Sequence, residues 1–425
     1  MIVILGVTGA GKTRLGIDLA KHFQGEVVSA DSIQLYDHLS IASGKVSETD
    51  MEGIPHHLVS VVSVRDHPWT VKDFVRNARS AISEIVSRKK LPIIVGGTFY
   101  YVEALLWDNL VSKHQVDSEA DRDKRSREVE AMRCSGMSLH EQLEHIDPAR
   151  AARLHPNDKR KVQRSIEVWI QTGKSHSENI AETGGRRGLE SVYQPCFLWL
   201  DAEKEYLLKK CETRVDSMVE AGVIQEFQDL YRIAPEARLD EGVFQAIGYK
   251  EFLPWLTSQL EDDSESKEII KKECLHRVKL ATRKYISKQL QWMRNRFRPS
   301  EDILIRINAQ KAWSEFVLAP SISICEEFLK TGSVDISKYS YLSKDLETLV
   351  SHSTLEFSTF FCDLCQVSLY GRIEYDVHFK SRKHRKRKRD LSQAHLPWRQ
   401  NLNQRETLND SKQEEPQTEP VMDSQ

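Results

Sequence analysis

Residues 6 to 13 read Gly-Val-Thr-Gly-Ala-Gly-Lys-Thr, directly after the apolar run Ile2-Val3-Ile4-Leu5, and their types suit the binding of a phosphate chain. The glycines at 6, 9 and 11 let backbone N–H groups from Gly6, Thr8, Gly9, Ala10 and Gly11 turn into one concavity. Lys12 adds a point charge and Thr13 a hydroxyl suited to Mg²⁺. Leu15, Leu19 and Phe23 recur four residues apart, so a helix follows the loop and its N-terminal dipole also favours an anion. The expected ligand carries a di- or triphosphate; the loop does not say which.

A second chemical segment is Asp31-Ser32-Ile33-Gln34-Leu35-Tyr36, placed just after a strand ending near Ser29. On an α/β sheet that position shares an edge with the phosphate loop. Three roles for Asp31 stay open: holding Mg²⁺ through water, capping the next helix, or acting as general base. The strand Pro92-Ile93-Ile94-Val95 runs into Gly96-Gly97-Thr98, where the glycines permit close backbone approach and Thr98 offers a hydroxyl. A simple strand-ending turn accounts for the same glycine pair.

The third signal is metal spacing. Cys362-x₂-Cys365 is followed by twelve residues to His378 and five more to His384, as in a tetrahedral two-Cys, two-His zinc site. Phe361 and Leu369 are expected to form its small apolar core, with zinc supplying much of the folding energy. The basic run Arg385-Lys386-Arg387-Lys388-Arg389 suits either RNA phosphates or a nuclear-import receptor.

The elements that position these groups follow from periodicity. Val71, Phe74, Val75, Ala78, Ala81, Ile82 and Ile85 form a helical stripe opened by a Thr70/Asp73 capping box. Strand, helix, strand in that order predicts an α/β fold with a parallel P-loop sheet over residues 1–110. Residues 111–190 become charged and helical, as an inserted module. Phe197-Leu198-Trp199-Leu200 returns to the sheet, with helices expected across the rest of 191–330. A linker over 331–356, a finger with its basic run over 357–389 and a disordered polar tail over 390–425 complete the plan.

Composition narrows the class. The 425 residues hold 61 basic and 63 acidic side chains, so only local clusters suggest a nucleic-acid partner. Seven scattered cysteines fit a reducing compartment rather than a disulfide framework. No apolar run approaches the roughly 18 residues of a membrane span, and Met1 leads straight into the first strand. The expectation is a cytoplasmic, possibly nuclear protein without a membrane or mitochondrial address, and a monomer.

Taken together, these segments resemble the tRNA dimethylallyltransferases, also called tRNA isopentenyltransferases. The resemblance runs through the phosphate loop, Asp31 to Tyr36, and Gly96-Gly97-Thr98-Phe99-Tyr100-Tyr101. It continues through His155-Pro156-Asn157-Asp158 with Lys159 to Arg164, Gln245-Ala246-Ile247-Gly248-Tyr249-Lys250, and Thr282-Arg283-Lys284-Tyr285 to Gln289 and Trp292. Val7 departs from a common proline. The resemblance implies transfer of a dimethylallyl group from dimethylallyl diphosphate to the N6 amine of the adenine 3′ of the anticodon in tRNA. It implies catalytic roles for Asp31 and Thr98, diphosphate contacts from the loop with Arg214 and Arg283, and Mg²⁺ at Thr13. It also implies tRNA contacts from Asp31, Ser32, Ile33, Gln34, Arg160, Lys161, Val162, Gln163 and Arg164, and a matrin-like finger. For the basic helix alone, a solvated charged face is the competing account. An ATP-dependent kinase, or an RNA-binding protein without catalysis, is the rival to the transferase.

Overall fold

Continuous apolar runs become the centre of a parallel sheet. β1 (Ile2–Gly6), β2 (Glu26–Ser29), β4 (Pro92–Val95) and β5 (Cys196–Asp201) are buried along their whole lengths. Strands covered on both faces read as unbroken hydrophobic segments, which is why these were visible without alternation. With β3 (His56–His57) and β6 (Leu304–Asn308) they form a six-stranded sheet in the order β3-β2-β4-β1-β5-β6, every pair parallel. Alternate residues face two cores. Val3, Leu5, Val28, Ile94 and Trp199 enter one, while Ile2, Ile4, Val27, Ile93 and Leu198 enter the other.

The computed structural model describes residues 1–107, 118–182, 191–234, 239, 241–258, 264–296, 304–344, 346, 359–365, 367–370, 375 and 378–394. The chain divides into one unit of residues 1–113 and 183–352 and another of 114–182 and 353–425. In the first unit, α1 (Lys12–Phe23) follows the phosphate loop and buries Leu15 and Leu19. Two short helices, α2 (Ser40–Ser43) and α3 (Glu48–Met51), come next. The expected stripe is α4 (Val71–Ser87), with the Thr70/Asp73 capping box formed in both directions. α5 (Phe99–Leu106) follows the glycine pair. α11 (Lys204–Glu220), α12 (Val223–Ile233), α13 (Tyr249–Leu256) and the 32-residue α14 (Glu265–Arg296) follow β5 in sequence.

Where the sequence predicts helices alone between β5 and residue 330, the structure adds β6. This strand is short, and Arg306 breaks its apolar pattern because its guanidinium pairs with buried Asp201 on β5 at 2.7 Å. Part of the stretch expected as linker, Ile336–Ser343, is a 3₁₀ helix with Leu342 buried in the core. The tail beyond residue 394 lies outside the described residues.

The second unit contains α6 (Glu119–Cys134), α7 (Leu139–Ile146), α8 (Pro148–Ala151), α9 (Lys159–Thr172) and α10 (His176–Glu182). Leu143, Ala151, Leu154, Val162 and Ile166 form the small core of this helical module. The finger is an antiparallel hairpin of β7 (Thr359–Cys362) and β8 (Val367–Tyr370) with a helix over Arg382–Ala394. Among the described residues, no helix is long and apolar enough to cross a membrane.

The sheet register places the ends of β1, β2 and β4 together, since Val95 pairs with both Ile4 and Ser29. Beyond the strands, the Ala30 N–H donates to the Val95 carbonyl at 2.8 Å and the Thr98 N–H to the Ala30 carbonyl at 3.2 Å. Gly96 lies under this crossing, where an added Cβ would stand 2.1 Å from the Ala30 oxygen. Because that obstacle is backbone, Gly96→Ala is expected to destabilise the protein by about 3 kcal/mol. A thermal melt checks this; an unchanged midpoint would contradict the close approach.

Candidate active site

The phosphate loop has the open donors an anion requires. Among the described residues, the N–H groups of Gly9, Gly11, Lys12 and Thr13 make no hydrogen bond within the protein. Gly9 and Gly11 sit at φ +84° and +95°, conformations that favour glycine and turn those groups inward. The Lys12 ammonium donates to the Val7 carbonyl at 3.0 Å, which keeps it beneath the loop. Thr8, Gly9, Gly11, Lys12 and Thr13 line a cavity of about 1200 Å³. Gly6 and Ala10 do not line it: a Cβ on Gly6 would lie 2.6 Å from the Leu200 oxygen, and Ala10 is buried in the core. Both are packed against the protein interior in this structure.

Asp31 enters the same cavity from the end of β2. Its Oδ1 accepts the Ile33 N–H at 3.0 Å, which fixes the carboxylate in a local turn. The point where a Gly97 Cβ would stand lies 3.0 Å from Gln289 Nε2, 3.7 Å from Lys12 Nζ and 4.0 Å from Asp31 Oδ2. The loop lysine, the carboxylate and the glycine turn therefore converge. Thr98 does not line the cavity; its Oγ1 accepts the Ser32 N–H at 3.0 Å and donates to Ser32 Oγ at 3.3 Å. It acts on the site through the Asp31-Ser32 segment. Ser32, Ile33 and Gln34 all line the cavity. The Gln34 amide accepts from Ser29 Oγ and donates to the Ser43 and Gly44 carbonyls, so it also holds the loop wall.

Gln289 of α14 ties the two loops together. Its Oε1 accepts the Thr8 N–H at 3.0 Å and its Nε2 donates to the Gly97 carbonyl at 3.1 Å, in a buried setting. The Thr8 amide, expected in the anion cradle, is thus already engaged. Gln289 and Tyr285 belong to a sequence motif given no role by residue type alone; only a fold that brings α14 over the phosphate loop reveals one.

On another wall α11 presents Lys210, Cys211 and Arg214 to the cavity. Cys211 Sγ donates to the Thr8 carbonyl at 3.5 Å, and burial pushes its thiol pKa up. The Arg214 guanidinium lies against Gly44, where a Cβ would stand 1.8 Å from one of its nitrogens. Arg283, expected beside it, pairs with Glu212 at the surface and does not line the cavity. Burial lowers the Lys12 pKa to about 8, a shift that Asp31 opposes and Arg214 reinforces. Burial raises the Tyr285 hydroxyl pKa, and nearby Asp31 adds to the rise.

The candidate tRNA helix is α9, opened by an Asp158 cap on the Lys161 N–H. Arg160, Lys161, Gln163 and Arg164 are exposed, with Lys161 paired to Asp158 and Arg164 to Glu167. Val162 is fully buried in the module's core, so its side chain is unavailable to RNA.

In the finger, Cys362, Cys365, His378 and His384 place one ligand atom each within 4.8 Å of one another. His384 Nδ1 lies 3.6 and 3.5 Å from the two sulfurs and 3.0 Å from His378 Nε2. Tetrahedral zinc with its usual bond lengths sets ligands about 3.3–3.8 Å apart, so the cluster fits that ion. Phe361, expected in the finger's core, is 53% exposed; Leu364 and Tyr375 pack against the cysteines instead. The reason is strand alternation, which turns Phe361 away from neighbouring Cys362. The side chain of Leu369 lies outside the described residues.

Fold and site together define a P-loop α/β protein whose phosphate cradle faces a positioned carboxylate across one cavity. Residues 34–296 match the IPP transferase family, and residues 360–384 match a zinc-finger of C2H2 type. The chain belongs to the IPP transferase family. It is 35% identical to the tRNA dimethylallyltransferase of Mus musculus over 403 residues, covering 90% of this chain and 85% of that one. The Saccharomyces cerevisiae tRNA dimethylallyltransferase is 32% identical over 433 residues, with 96% of both chains covered. A crystal structure of a eukaryotic dimethylallyltransferase acting on tRNA superposes with a TM-score of 0.78 at 30% identity, covering 93% of this chain and 98% of that one.

The lowered Lys12 pKa has a pH signature. A bound diphosphate favours the charged ammonium, so affinity for inorganic pyrophosphate should fall as pH rises through about 8, with a proton taken up on binding above that pH. Calorimetry in buffers of different ionisation enthalpy measures that proton; flat affinity from pH 7 to 9 would contradict it. Cys362→Ser should unfold the finger, since zinc supplies apparent folding energies of about 10–16 kcal/mol in such sites. Hydrogen exchange should then speed up over Arg382–Ala394 while β1 and β4 keep their protection.

Proposed function

We propose that this protein transfers the dimethylallyl group of dimethylallyl diphosphate to the N6 amine of the adenine 3′-adjacent to the anticodon in tRNA. The observation that carries the reading is the shared cavity: open loop amides and Lys12 on one side, the oriented Asp31 carboxylate on the other. In the reaction the adenine N6 attacks the first allylic carbon, a new C–N bond forms, and the C–O bond to diphosphate breaks with its electrons leaving on oxygen. Charge grows on the diphosphate, and the N–H groups of Gly9, Gly11, Lys12 and Thr13 with the Lys12 and Arg214 cations are placed to stabilise it. Asp31 takes the N6 proton, since an exocyclic amine is a weak nucleophile until that proton leaves.

Thr98 is a positioning residue for this reaction, holding Ser32 and so the orientation of Asp31. The Thr13 hydroxyl lines the cavity and fits Mg²⁺, an ion that binds through few protein oxygens and the substrate's own phosphates. When bound, Mg²⁺ supplies charge neutralisation at the leaving diphosphate. The target adenine must leave its stack to reach Asp31, at a cost of a few kcal/mol that RNA contacts offset. Arg160, Lys161, Gln163 and Arg164 on α9 and the basic finger helix are the proposed sources of those contacts, with Ser32, Ile33 and Gln34 lining the adenine's entry.

Asp31→Asn keeps an oxygen for the Ile33 N–H but cannot take the proton. Single-turnover prenylation of an anticodon stem-loop should slow about 10²–10⁴-fold, with affinities for RNA and pyrophosphate within about twofold of the original. Full-rate transfer by this variant would remove Asp31 from the role of base.

A further inference from the structure

Beyond the family's phosphate loop, the chain carries a second device next to it. Trp313 opens a π-helical turn, Trp313–Leu318, after β6, outside the residues that match the family. Its indole packs against the loop: a Cβ on Gly11 would stand 2.9 Å from the ring. The indole N–H donates to Asp18 Oδ2 at 2.9 Å, which anchors the ring to α1. The Arg14 guanidinium stacks over the ring with its carbon 4.4 Å from the centroid. Arg14 lines the cavity beside Lys12 and Thr13, is exposed, and makes no ion pair or hydrogen bond among the described residues.

A guanidinium held by its face keeps its N–H edge free, and that edge matches two phosphate oxygens. Lys12, held below the loop on the Val7 carbonyl, cannot make that contact from the same direction. We infer that Arg14 is a donor-binding residue that grips the diphosphate, and that Trp313 is the positioning residue that aims it. This rests on the proposed transferase reading and deepens it. A phosphate oxygen also occurs along the RNA backbone; of the two, Arg14 is assigned to the diphosphate, whose loop it adjoins.

The test uses the full-length protein with dimethylallyl diphosphate, an anticodon stem-loop and inorganic pyrophosphate as inhibitor. Arg14→Gln should raise both KM for the donor and Ki for pyrophosphate about tenfold, with kcat and KM for RNA within about twofold. Arg14→Lys should restore only part, because an ammonium neither stacks flat nor bonds bidentately. Trp313→Leu should raise the same constants, and the double variant should be no worse than Arg14→Gln alone, the non-additivity expected when one residue acts through the other. Arg14 is exposed, so its variant stays folded and the test does not depend on Trp313. Unchanged Ki in Arg14→Gln overturns the inference, as does a raised KM for RNA with unchanged Ki, or additive effects of the two substitutions. Failure of the unsubstituted protein to prenylate RNA would instead strike the transferase reading, while pyrophosphate affinity measured by calorimetry would still decide the role of Arg14.

Discussion

One buried amide spans the gap between the two loops that carry the chemistry. Gln289 receives the Thr8 N–H from the phosphate loop and gives its own N–H to the Gly97 carbonyl of the neighbouring turn. Loss of either bond would leave a buried polar group without its partner, which costs more than the bond contributes when intact. The spacing between the phosphate loop and the glycine turn is therefore set by one side-chain amide hydrogen-bonded at both ends. The turn it holds continues into Thr98, which fixes Ser32, while Asp31 is fixed by the Ile33 N–H. α14 supplies this tie from a sequence position nearly three hundred residues away from the loop it secures.

Electrostatics complete what geometry begins. Lys12, Arg14, Lys210 and Arg214 line the same cavity as the Asp31 carboxylate. Burial lowers the Lys12 pKa, and the nearby Arg214 cation adds to the fall. A diphosphate relieves the crowding of positive charge, so the site is preorganised for the group that must leave. Its donors need not move when negative charge grows on the leaving oxygen.

Much of this was legible from the chain alone, for physical reasons that differ by element. β1, β2, β4 and β5 are buried on both faces and show as apolar runs; the Thr70/Asp73 box shows because capping needs particular side chains at a fixed spacing. The phosphate loop and the Cys/His cluster are visible because local backbone shape and metal geometry demand specific residues close in sequence. β6 is not apparent in the sequence, since its Arg306 finds a partner only once β5 lies alongside. The same limit applies to Arg283, whose pairing with Glu212 depends on α11 lying against α14, and to Val162, which sits within a basic segment yet faces a core. Gln289, Arg14 and Trp313 are ordinary residues by type. Their roles come from contacts across the fold, which no local pattern encodes.

In the proposed reaction the diphosphate cradle and Asp31 serve one bond exchange at carbon, not phosphoryl transfer. The decisive measurement is mass spectrometry of an adenine-rich anticodon stem-loop after incubation of the full-length protein with Mg²⁺ and either dimethylallyl diphosphate or ATP. The expected result is one dimethylallyl group on the adenine 3′ of the anticodon, matched by one released diphosphate, and no change with ATP. An unmodified RNA in the first reaction together with a phosphorylated one in the second would contradict it.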